Sequence, residues 1–68
     1  MPADVAQALE ESGLTEAYMV RPHYQRNDYV GWISRAKRPE TREKRLLQML
    51  DELAKGDIYM KMPWHSRG

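Results

Sequence analysis

Cysteine is absent from the 68-residue chain, which excludes disulfide cross-links and cysteine-ligated zinc as sources of stability. No stretch approaches the roughly 18 consecutive apolar residues that a membrane span requires. The first thirty residues also lack a basic start followed by an apolar run, the pattern of an export signal. The expectation from these absences is a cytoplasmic chain with no membrane insertion. A large net charge is missing as well. At +1 the molecule as a whole attracts nucleic acid or acidic membranes only weakly.

At this length only one domain with one thin core fits, and cores below roughly 70 to 80 residues seldom supply more than about 3 to 5 kcal/mol. Without disulfides the remaining routes to stability are efficient helix packing, self-association or a second protein. The chain is therefore expected to have another protein as partner, with a homodimer as an open arrangement.

What is present is unevenly distributed charge. Residues 1–20 hold Asp4, Glu10, Glu11 and Glu16 and no lysine or arginine. Residues 21–45 hold eight lysines and arginines against Asp28, Glu40 and Glu43, a local excess of +5. A cationic ligand would prefer the acidic start and an anionic one the basic middle.

Proline and glycine mark out four helices. The first is expected over Pro2–Ser12, with Val5 and Leu9 on one face and Gly13 placed to stop it. A short second helix, Thr15–Val20, is expected to be capped by the Thr15 hydroxyl and ended by Pro22. The third, Tyr24–Lys37, carries Tyr29, Trp32, Ile33 and Ala36 at i, i+3, i+4 and i+7. Pro39 suits the first turn of the fourth helix, Pro39–Lys55, whose stripe is Leu46, Met49, Leu50 and Leu53. Alternation of Ile58, Met60 and Met62 against Tyr59 and Lys61 points to an extended tail. The predicted fold is an all-α bundle of three main helices and one short one over residues 1–57, with a partly extended tail over 58–68. Tyr29, Trp32, Ile33, Ala36, Leu46, Leu50 and Leu53 form its expected core, closed by the first helix.

The run Asp28, Tyr29, Val30, Gly31, Trp32, Ile33, followed by Ala36, Lys37, Arg38, Pro39, Glu40, Thr41, Arg42, Glu43, Lys44, Arg45, resembles the signature of the YdeI/OmpD-associated family. The resemblance spans Tyr24 to Leu53. It departs from the family at the entry to the third helix, where Pro22, His23 and Tyr24 stand in place of a capping serine. The resemblance implies a helical module linked to protection against bacteriocins and cationic antimicrobial peptides, and to association with an outer-membrane porin. It carries no catalytic residues.

The residues themselves point to one candidate contact site. Lys37, Arg38, Thr41, Arg42 and Arg45 gather where helix three ends and helix four begins. Arg42 and Arg45 oppose the dipole of the helix they open, and an anionic group would remove that cost. A solvated face explains the same residues if Glu40 pairs with Lys44 and the remaining cations neutralise the end of helix three. The favoured function is a protein-interaction or regulatory module acting through this corner. The alternative is a nucleic-acid-binding module, although the Lys-Arg-Pro corner has no glycine and a pI near 8.1 is low for one.

A second candidate is a plastic apolar groove for a partner helix, formed by Met49, Met60 and Trp64. Met60, Met62 and His65 are soft ligands of the kind that suit copper(I), but two thioethers and one imidazole on a tail lack a scaffold, so no metal or cofactor is expected. Asp28 has no second acid, histidine or ligand partner at a useful spacing, and Tyr29 and Trp32 share a core stripe, so no enzyme is expected.

Overall fold

The computed structural model describes residues 1–64. Its elements in chain order are α1 (Ala3–Glu11), α2 (Thr15–Met19), α3 (His23–Ser34), α4 (Pro39–Lys55), β1 (Ile58–Tyr59) and β2 (Met62–Pro63). The all-α expectation holds, with a two-stranded hairpin closing the tail.

Punctuation acts where the sequence places it, with two exceptions. Gly13 takes φ +69° and reverses the chain after α1, which brings the Leu14 amide to the Leu9 carbonyl at 2.9 Å. Gly56 takes φ +81° at the end of α4, a left-handed conformation that favours glycine. The first exception is Thr15. The reversal at Gly13 leads directly into α2, so Leu14 occupies the cap position and the Thr15 hydroxyl caps nothing among the described residues. The second is the end of α3, which stops at Ser34, not Lys37. Pro39 holds Arg38 extended at ψ 142°, and the chain needs Arg35 to Arg38 to turn into α4.

The core consists of Val5, Leu9, Tyr18, Tyr29, Ile33, Met49 and Leu53, drawn from all four helices. Trp32, Leu46 and Leu50 pack at its edge, partly exposed, so the centre lies on the Met49 and Leu53 side of α4. α3 and α4 pack on each other, and β1 lies against α4. Among the described residues no helix is long and apolar enough to cross a membrane.

Candidate functional site

At the α3–α4 corner the five cationic and polar residues separate into two groups. Arg42 and Arg45 are engaged. The Arg45 guanidinium donates to the Trp32 carbonyl at 2.6 Å and lies 5.3 Å from the centre of the Trp32 ring, within cation–π range. Arg42 donates to the Ile33 carbonyl at 3.4 Å and to both carboxyl oxygens of Asp4, at 2.8 and 3.0 Å. The last turn of α3 leaves carbonyls with no intrahelical donor: Arg45 supplies that of Trp32, while the Ile33 carbonyl accepts from the Ala36 amide at 3.2 Å as well as from Arg42. Arg42 holds the Asp4 carboxyl below its ordinary range, chiefly by hydrogen bonding.

Lys37 and Arg38 are exposed in the link, and Thr41 is half-buried in the first turn of α4. Lys37, Arg38 and Lys44 make no ion pair among the described residues, so the spacing that suits Glu40 and Lys44 is not used. The Arg35 guanidinium folds back over Gly31. The result is a corner braced by Arg42 and Arg45 on which Lys37 and Arg38 are exposed, with Glu40, Glu43 and Lys44 exposed along the first turns of α4.

The tail candidates do not come together as an open groove. Met49 is fully enclosed in the core and lines no surface. Met60 packs against the core from the hairpin turn, half-buried. Trp64 stacks on Arg21, with the guanidinium carbon 4.6 Å from the ring centre. His65 lies outside the described residues. Among those described, no group of three or more histidine, cysteine or acidic side chains is placed to hold a metal ion.

Sequence reasoning missed a buried polar node centred on Glu52. This side chain is 2 % exposed, and its two oxygens accept four hydrogen bonds. Tyr29 donates its hydroxyl at 2.5 Å, the Met60 amide donates at 2.8 Å, the Lys61 amide at 2.9 Å and the Gln48 side chain at 3.0 Å. Arg21, buried beside it, donates to the Glu52 main-chain carbonyl at 3.0 Å and to Gln25 at 3.1 Å. Burial, then the hydrogen bond to Glu52, raises the Tyr29 hydroxyl well above the ordinary tyrosine range and keeps it a donor. Met60 and Lys61 adopt φ +49° and +64°, a pair of left-handed residues with neither asparagine nor glycine. The Glu52 carboxyl fixes that turn by accepting both of its amides. Tyr59 then packs edge-on against Tyr24 and Tyr29 and donates its hydroxyl to Asp28. Asp28 is thus an anchor for the hairpin.

A signal for the node was present. Glu52 stands three residues after Met49 and next to Leu53, on the buried stripe of α4, and Gln25 stands four residues before Tyr29. Polar residues on an apolar face require buried partners.

No curated protein and no solved structure matches this chain. The family model described as bacteriocin-protection, YdeI or OmpD-associated matches residues 1–56, a span that takes in all four helices, the basic corner and Glu52. The chain belongs to the bacteriocin-protection, YdeI or OmpD-associated family.

Proposed function

We propose that this chain is a non-enzymatic helical interaction module in bacteriocin protection, and that it contacts an acidic surface of another protein through the α3–α4 corner. The observation that carries this reading is the division of labour among the cations. Arg42 and Arg45 are spent on Asp4, Trp32 and Ile33, whereas Lys37, Arg38 and Lys44 are exposed without an acidic partner among the described residues. Exposed cations on a braced corner suit an acidic partner, because the backbone that carries them is already held and only their side chains have freedom to lose on binding. Thr41 adds a hydroxyl donor beside them.

An amide NMR titration of the full chain tests this, with an acidic helical peptide and a short duplex DNA as separate probes. Shifts at Lys37, Arg38 and Thr41 that persist with the peptide at physiological salt, and vanish with DNA, are expected. Shifts that persist only with DNA at physiological salt overturn the protein reading in favour of nucleic acid.

A further inference from the structure

The core takes the Met49, Glu52 and Leu53 side of α4, and a second apolar row of the same helix stays at the surface. Leu47, Leu50 and Ala54 form this row, on a face turned roughly 130° from Met49. Leu47 is 56 % exposed, Ala54 is exposed and Leu50 is half-buried at the edge of the core. Glu43 extends the row by one step toward the helix start. Glu43, Leu47, Leu50 and Ala54 thus repeat at intervals of four, three and four, the spacing of a two-helix coiled-coil seam.

The charges beside the row specify its occupant. Glu40, Glu43 and Lys44 stand toward the helix start, Asp51 and Lys55 toward its end, and all are exposed. Lys44 and Asp51, seven residues apart, flank the row on the same side. Lys44 makes no ion pair among the described residues, and Asp51 meets Lys55 at 3.0 Å through one carboxyl oxygen. A parallel second copy of α4 would set Glu43 against the partner's Glu43. An antiparallel copy, related by a two-fold axis near Leu47 and Leu50, removes that conflict, because Glu43 then meets the small side chain of the partner's Ala54. In the same register Lys44 lies level with the partner's Asp51 and Glu40 with the partner's Lys55. Each match occurs twice, so the surface complements itself.

We propose that the chain pairs with a second copy of itself through an antiparallel α4–α4 contact, with Leu47, Leu50 and Ala54 in the seam and Lys44 of each copy against the partner's Asp51. About three turns of one helix bury less than the roughly 1,200 Å² of a stable complex, so the pair forms at high protein concentration, about 0.1 to 1 mM. The two α3–α4 corners fall at opposite ends of the pair, and Lys37 and Arg38 are not in the seam. The pairing stands apart from whatever those two side chains contact.

The test is sedimentation velocity of the full chain from about 0.01 to 1 mM, with amide NMR spectra recorded along the same dilution. The mass is expected to rise from one chain toward two, with concentration-dependent shifts at Leu47, Leu50, Asp51 and Ala54. Leu47→Glu abolishes association at unchanged helical circular dichroism, because the side chain is exposed in the monomer. Lys44→Glu weakens association roughly tenfold, and adding Asp51→Lys restores it. Lys37→Gln with Arg38→Gln leaves association in place, so the seam and the corner succeed or fail separately. A single-chain mass at the highest concentration or shifts centred outside α4 overturns the proposal. So does association that survives Leu47→Glu, or a charge swap that fails to restore it.

Discussion

Asp4 and Arg42, thirty-eight residues apart in sequence, meet in two hydrogen bonds of 2.8 and 3.0 Å that tie the start of α1 to the start of α4. Both side chains remain partly exposed, so the pair is screened and its contribution is small. Asp4→Asn is expected to lower the melting temperature slightly at neutral pH and low salt. The folded Asp4 carboxyl titrates below its unfolded value, so the stabilisation is present above the unfolded value and is lost as pH falls through the folded one. Thermal melts of wild type and Asp4→Asn therefore converge as pH drops below the ordinary aspartate range, about 4. They also converge in high salt.

The Glu52 node has a much larger expected effect. Glu52→Ala leaves the Tyr29 hydroxyl, the Gln48 amide and two turn amides without their acceptor. A loss of about 2 to 4 kcal/mol is expected from buried donors left unpaired, most of the stability available to a chain this size. Tyr29→Phe removes one hydrogen bond and costs about 1 kcal/mol. Urea melts of both variants and their double mutant check this. A strong non-additive coupling is expected, because the two residues share one bond.

The hairpin turn holds strain that a better turn sequence removes. Replacing Met60 and Lys61 by Asn and Gly keeps both amides for Glu52 and supplies residues that adopt positive φ readily. Half-buried Met60 also loses its packing, which offsets part of the gain. A net stabilisation of about 0.5 to 1 kcal/mol is expected, together with slower hydrogen exchange at the turn amides.

Burial raises the hydroxyls of Tyr18, Tyr29 and Tyr59 above the ordinary tyrosine value, with hydrogen bonds to Glu52 and Asp28 adding to the effect for the latter two. A raised folded value means that the stabilisation is fully present below the unfolded value, about 10, and lost as pH rises through the folded one. Phenolate absorbance is expected to appear late in an alkaline titration and to coincide with loss of helical circular dichroism.

The helices were legible because their determinants are local. Gly13, Gly56 and Pro39 fix their own backbone angles, and Tyr29 with Ile33, and Met49 with Leu53, repeat at helical spacing. The hairpin register was not legible, because its turn contains no residue that favours positive φ. It exists through a carboxyl eight and nine residues away, on α4. The end of α3 was misjudged for a related reason. Its Trp32 carbonyl is met by Arg45 from the following helix, and its Ile33 carbonyl by the Ala36 amide and Arg42, contacts that no pattern within α3 encodes. At the candidate corner the sequence showed which residues are cationic, and only the fold separates the anchoring Arg42 and Arg45 from the exposed Lys37 and Arg38.

Survival of bacteria producing the chain during challenge with a bacteriocin, alongside melting temperatures of the same proteins, distinguishes a contact role for Lys37 and Arg38 from a structural one. Lys37→Glu with Arg38→Glu is expected to abolish protection at an unchanged melting temperature, because neither side chain anchors the fold. Full protection by that charge-reversed protein would mean that protection does not run through Lys37 and Arg38.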